Sequence, residues 1–389
     1  MTPAVEALPP GAVLLHIGPY KTGTTAIQVS LHQHRADLAA HGVVYPGSGT
    51  RQRRASWAAV GRSPRGTKPV GMGSWRRMLR EIEAAGGQRV VVSSEDFTSA
   101  PPDRVRAIVD VLGRDRTHVL MVIRPLENLL PSAWQQRVKS ARETLSLDAW
   151  LHEVLQRPDG RKGRIFWGNE GVDALVERYA AEVPRERIHI IVSDESDRTQ
   201  QMRTFESLLG LPAGLLTPGP RDNTSLSLDR TELLRRVNVL ADERAWGDST
   251  SRALIHGGML SDLRAQPPEP GERPIPGIPT WAVDRVAELN SERAEAVRAS
   301  GCQVIGDPTH LVASPGAGEA EPPPDQVSLA LAAASVAGVV DAVRRREERA
   351  ERESRDEPPL QEPGLQAVGS RQLLRELGQR ARTRLLPGR

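Results

Sequence analysis

Apolar positions along the first 210 residues fall into short continuous runs rather than an alternating pattern. Val13–Ile17 is the first, followed by a helical spacing from Thr24 to Ala40. RVVVS (89–93) is the second and HVLMVI (118–123) the third, each leading into a helical pattern (105–112, and 125 towards 140). RIHIIV (187–192) is the fourth. Short Val/Ile runs separated by helices predict strands buried on both faces. The fold class is therefore α/β, a parallel central sheet flanked by helices. Ligands in such sheets collect at the carboxyl ends of the strands.

Residues 50–73 are rich in Arg, Gly, Ser and Pro with Trp57 embedded, and predict a long loop or insertion. Helical spacing returns over 228–262 and 281–299. At Ala313 the composition changes to SPGAGEAEPPPD. The predicted organisation is a domain over 10–312, a Pro/Gly/acidic linker over 313–326, and a charged helical or disordered tail over 327–389. Helical patterns in that tail cover 325–354 and 370–386, and the second carries five arginines. The plain reading is a solvated or self-packed segment. The alternative is a peripheral contact with an anionic membrane or a protein partner.

Composition narrows the function. Cys302 is the single cysteine, which excludes an intramolecular disulfide framework and a Cys-rich zinc site. Lys and Arg number 52 against 49 acidic residues, intermixed, so a nucleic-acid partner is not expected. No secretory signal pattern and no apolar run of membrane-spanning length is present, and a cytoplasmic location is expected.

The chemistry concentrates at the end of the first strand, where residues 13–28 read VLLHIGPYKTGTTAIQ. Gly18 and Gly23 allow the backbone to approach a ligand. The amides from about Thr22 to Thr25 open a helix, so their N–H groups and the helix dipole favour an anion, with Lys21 adding a full charge. The hydroxyls of Thr22, Thr24 and Thr25 are further donors. A plain Gly-Pro turn with threonines capping a helix is the bland alternative. The order is unusual in one respect: Lys21 precedes Gly23, whereas nucleotide-hydrolysing loops place Gly directly before Lys.

HIGPYKTGTTAIQ resembles the phosphosulfate-binding loop of sulfotransferases, most closely that of bacterial members. The resemblance implies a P-loop-like sulfotransferase architecture and 3′-phosphoadenosine 5′-phosphosulfate as donor, with no metal. It puts Lys21 on the bridging and sulfuryl oxygens, and Gly23, Thr24 and Thr25 on the 5′-phosphate. It also implies a second anion site for the 3′-phosphate, an Arg at a strand end and a Ser two helical turns on. Arg124 and Ser132 in HVLMVIRPLENLLPSAW match that pattern. RDNTSLSLDRTELLRRVN (221–238) is similar to a nucleotide-covering segment of bacterial members, with Arg221, Asn223 and Ser225 as candidates. Arg161-Lys162-Gly163 matches another family motif but sits too early in the chain and is read as coincidence. The family's stacking Trp after the threonines is replaced by Ala26, leaving Trp57, Trp75 or Trp134 for adenine.

Sulfuryl transfer needs a base for the acceptor hydroxyl or amine. SSED (93–96) ends the second strand, and Glu95 is the first candidate, against an N-cap or ion-pair role. Glu81 and Glu83 are weaker. His16 is read as a core histidine, and His32, His34 and His41 as helix-surface residues. With three Phe and three Tyr, the composition leans towards a carbohydrate or glycolipid acceptor rather than a phenol. The alternative functions are a P-loop nucleotide kinase or NTPase and a non-catalytic nucleotide-binding or interaction module.

Overall fold

In a computed structural model, which describes residues 5–63, 67–140, 143–218, 225–312 and 324–356, six parallel strands form the central sheet. In chain order the elements begin with β1 (Val13–Gly18), α1 (Thr24–Gln33), α2 (Arg35–Ala40), β2 (Val43–Val44), α3 (Arg53–Val60) and α4 (Gly73–Ala84). Then come β3 (Arg89–Ser93), α5 (Pro102–Leu112), β4 (Thr117–Ile123), α6 (Leu126–Lys139), α7 (Leu147–Leu155), α8 (Arg161–Glu170) and α9 (Val172–Ala180). The remainder is β5 (Ile188–Val192), α10 (Gln200–Leu209), α11 (Leu228–Glu243), α12 (Asp248–Ser251), a π-helical stretch (Arg252–Met259), α13 (Leu260–Ala265), α14 (Val283–Ala299), β6 (Gln303–Ile305) and α15 (Leu329–Asp356).

The strand order is β2-β3-β1-β4-β5-β6. The chain therefore runs to one side of β1 and then returns to the other, and a crevice opens at the carboxyl ends of β1 and β4. Register pairs Leu15 with Val92 on one side and with Val119 on the other.

Alternate residues of the strands feed two cores. Val13, Leu15, Ile17, Val90, Val92, Val119 and Met121 pack with α4, α5 and α9. Leu14, Val91, Leu120, Val122 and Ile191 pack with Ile27, Leu31 and Phe205. Both faces are covered, which is why the strands read as unbroken apolar runs. A third cluster joins α6, α7, α11, the π-helical stretch and α14, around the fully buried Trp134 and Trp150. Burying one such large side chain contributes on the order of 2–3 kcal/mol.

Four expectations need correction. The first helix is broken at His34, whose ring meets Asp37 and Thr217 (3.1 and 3.2 Å) instead of letting the helix run on. Part of the predicted loop, Arg53–Val60, is helical, and its Ala55, Ala58, Ala59 and Val60 join the core. The edge strands β2 and β6, two and three residues long, were below the length that a pattern can register. The 228–262 segment is helical but interrupted, with a π-helical stretch near its end.

The chain divides into two units, residues 1–339 and 340–389, and the second contains the charged end of α15. The 370–386 pattern lies outside the described residues. Among the described residues no helix is long and apolar enough to cross a membrane.

Candidate functional site

The loop after β1 is held from several sides. Gly18 and Gly23 have φ of 95° and 93°, in the left-handed region, and so does Lys21 at 66°. A Cβ on Gly18 would lie 3.1 Å from Glu95, so glycine is what lets β1 and the end of β3 meet here. The left-handed turns at 21 and 23 rotate Thr22 inward. Its carbonyl accepts from Gln201 Nε2 at 2.7 Å, and its hydroxyl donates to Pro19 O at 2.7 Å. The Lys21 carbonyl accepts from Arg124 Nη1 at 2.7 Å. With carbonyls tied back, the N–H groups of Thr22, Gly23, Thr24 and Thr25 donate to no protein acceptor among the described residues. That is a backbone nest at the head of a ten-residue helix.

The threonine hydroxyls differ from the sequence expectation. Thr22's hydroxyl is occupied by Pro19, and Thr25 Oγ1 accepts from Arg51 Nη2 at 3.0 Å. Thr24 is buried. The loop would thus bind an anion through amides and Lys21 more than through hydroxyls.

Glu95 is brought to the loop. It is buried, accepts from Gln28 Nε2 at 3.2 Å and lies 3.7 Å from Arg53 Nη2. Its charge acts on Lys21, the one influence that raises that amine's pKa. Ser94 is an N-cap, accepting from Asp96 N, so the capping role belongs to the residue before Glu95. Asp96 accepts from the Tyr20 hydroxyl at 2.5 Å, which fixes the entry to the loop. Burial, then the Asp96 charge and hydrogen bond, push the Tyr20 phenol well up and keep it neutral.

Arg124 directly follows β4 at the same edge, but its guanidinium is engaged. Nε and Nη2 form a fork on Glu195 at 2.8 and 2.6 Å. Ser132, half-buried on α6, lines a separate cavity of about 530 Å³ with Asn128, Gln135, Ser225, Arg264 and Arg273. Arg124 does not line it. Ser225 is therefore near Ser132, while Arg221 and Asn223 lie outside the described residues.

Several other candidates have structural roles. His16 is buried with Nδ1 2.9 Å from Ser93 Oγ, and burial lowers its pKa to about 3. Glu81 accepts from Gly47 N at 2.6 Å, and Glu83 is exposed. Trp75 and Trp134 are core residues, leaving the half-buried Trp57 as the remaining aromatic candidate for stacking. Lys162 pairs with Glu143 at 2.5 Å, and a Cβ on Gly163 would collide with the Arg157 and Pro158 carbonyls. The Arg-Lys-Gly tripeptide therefore opens α8 and packs it.

Sequence reasoning missed a group of cations. Burial and then the charges of Arg124 and Arg264 lower the pKa of Lys21. Lys139, at the end of α6, is buried and its pKa falls to about 7, by burial, then Lys21, then Arg264. Arg51 acts on Arg264 in the same sense. One signal was available: Lys139 follows Ser132 by seven residues, on the same helical face. Among the described residues no cluster of His, Cys, Asp and Glu is placed to hold a metal ion.

No protein-family profile matches the chain, and no curated protein matches it. Among solved structures, the chain is similar to the crystal structure of a sulfotransferase from Alicyclobacillus acidocaldarius. The two are 18% identical with a TM-score of 0.38, over 60% of this chain and 94% of that one.

Proposed function

We propose that the chain transfers a sulfuryl group from 3′-phosphoadenosine 5′-phosphosulfate to a hydroxyl or amine of an acceptor, with a carbohydrate or glycolipid as the expected class. The observation that carries the reading is the KTGTT turn: open amides from Thr22 to Thr25, with Lys21 beside them among other cations. A group lodged there must be anionic, and a phosphosulfate presents charge to both the amides and the amine.

Transfer of this kind passes through an in-line transition state with charge spread over equatorial oxygens, so positioning and electrostatics supply most of the catalysis. In this reading the amides of Thr22, Gly23, Thr24 and Thr25 hold the 5′-phosphate, and Lys21 neutralises the bridging oxygen as the S–O bond breaks. Glu95 takes the acceptor proton, and Gln28 and Arg53 orient its carboxylate. Arg124 and Ser132 receive the 3′-phosphate, which requires the Arg124 fork to exchange Glu195 for phosphate and the phosphate to bridge from Arg124 to the cavity that Ser132 lines.

Calorimetric titration with 3′,5′-adenosine bisphosphate, with and without magnesium, tests the reading. Magnesium-independent binding, lost together with sulfuryl transfer in Lys21→Ala at unchanged Tm, is the expected result. Binding of ATP only with magnesium, or transfer retained in Lys21→Ala, overturns it.

A further inference from the structure

Lys139 is 4% exposed, and its ammonium donates to Gln135 Oε1 at 3.0 Å. Of the charged groups close enough to act on it, Lys21 and Arg264 are both cations. A buried ammonium carries a large desolvation cost unless an anion faces it. Arg264 has no hydrogen-bond or ion-pair partner among the described residues, and it lines the 530 Å³ cavity with Gln135 and Ser132. Other arginines here are matched: Arg53 with Glu95, Arg124 with Glu195, and Arg230 with Glu272 at 2.7 Å. Among the described residues no ion pair joins a carboxylate to Lys21, Lys139 or Arg264; the two carboxylates of the cavity are taken up elsewhere, Glu272 by Arg230 and Glu127 by Asn290.

A phosphosulfate on the loop supplies one charge on its phosphate and one on its sulfuryl group, both at Lys21. With the 3′-phosphate assigned to Arg124 and Ser132, Lys139 and Arg264 are then still unmatched. Ser132, Gln135 and Lys139 follow one face of α6, and seven residues separate the first from the last, a rise of about 10 Å. Ser132, Gln135 and Arg264 line the cavity, and Lys139 stands next to that wall, its ammonium held by Gln135 Oε1. Arg124 and Arg264 both act on Lys21, and Lys139 feels Lys21 and Arg264. In-line displacement brings the nucleophile in on the side of the sulfuryl group away from the nucleotide.

Resting on the reading above, we infer that the acceptor is itself anionic, with a carboxylate or phosphate close to the hydroxyl that receives the sulfuryl group, and that Lys139 and Arg264 bind that anion. The two residues then serve as specificity determinants. Without the acidic group, an acceptor leaves a buried ammonium unpaired, so neutral analogues are rejected by the penalty on the protein side.

The test uses full-length protein and labelled donor with hydroxyl acceptors in matched pairs: uronides against glycosides, sugar phosphates against sugars, hydroxy acids against alcohols. Binding of 3′,5′-adenosine bisphosphate is measured separately, so failure of the donor reading shows there and not in the acceptor comparison. The expected result is at least about tenfold higher kcat/KM for acidic members, declining as salt is added. In Arg264→Ala and Lys139→Met, KM for the acidic acceptor rises about tenfold while bisphosphate affinity changes less than about threefold. Transfer to neutral members at equal or higher efficiency, or to no acidic member, overturns the inference. So does an equal loss of bisphosphate affinity, because the anion on these cations would then belong to the donor.

Discussion

Arg124 offers the sharpest way to separate a ligand-binding arginine from a structural one, through its partner rather than itself. Arg124→Ala would be ambiguous, since it also removes the hydrogen bond that holds the Lys21 carbonyl. Glu195→Gln leaves that bond alone and weakens the competitor for the fork. Glu195 is 38% exposed and Arg124 22%, and the pair is bidentate at 2.8 and 2.6 Å. A pair of that exposure is worth about 1 kcal/mol, well below a buried one. A 3′-phosphate must displace the carboxylate, so removing its charge should raise affinity for 3′,5′-adenosine bisphosphate about fivefold. Adenosine 5′-monophosphate, which lacks the 3′-phosphate, should bind as before. Calorimetry on both nucleotides reads the difference directly. Weaker bisphosphate binding, or the same change for both nucleotides, would refute the argument and leave Arg124–Glu195 as a strut between β4 and the segment after β5.

Glu95→Gln keeps an acceptor for Gln28 but removes the proton acceptor, so kcat should fall about a hundredfold or more with bisphosphate affinity retained. A fall in Tm without a fall in kcat would mark Glu95 as structural. The fold should also be acid-labile. Burial lowers His16 to about 3, and burial first, then Arg187 at His118 and His118 at His189, lowers those two to about 4. The unfolded chain binds these protons below about 6.5 and the folded one refuses them, so stability is fully present above that pH and declines as pH falls towards 3–4. Tm should drop steadily from pH 6.5 to 4, and His16→Asn should flatten the slope. An unchanged slope in that variant would remove His16 from the account.

The sheet could be read from the sequence because both its faces are covered. Val90–Val92 and Val119–Ile123 leave no polar position to disguise the strand. The loop was legible because all its parts are contiguous. What escaped was assembled over distance or built from weak signals. α3 buries alanines, too small to give a helical stripe, between arginines that suggest a loop. Gln201 reaches the loop from 179 residues away, and Arg264 comes from a helix after a π-helical stretch, so no spacing rule connects either to Lys21. Lys139 reads as an ordinary cation in the last turn of a helix until the packing shows that it is buried. The pairing of Arg124 with Glu195 was equally invisible, because the acid belongs to another strand end.

Why lysine precedes the glycine can be argued from its backbone. Lys21 has φ 66°, a conformation that costs a side-chain-bearing residue roughly 1–2 kcal/mol and costs glycine nothing. Its amine is also partly buried beside Arg124 and Arg264, both of which oppose its charge. On stability alone, glycine would be the better residue here. Lys21→Gly should therefore relieve the strain and the repulsion, offset by roughly 0.5–1 kcal/mol of added unfolded-state entropy. The net expectation is a gain of about 1 kcal/mol, read as a Tm rise of about 2–4 °C, with sulfuryl transfer abolished. Lys21→Ala keeps the strain and should abolish transfer without the Tm gain. If Lys21→Gly lowers Tm, the lysine stabilises the turn through contacts of its own. In that case its place before Gly23 owes more to packing than to an anion.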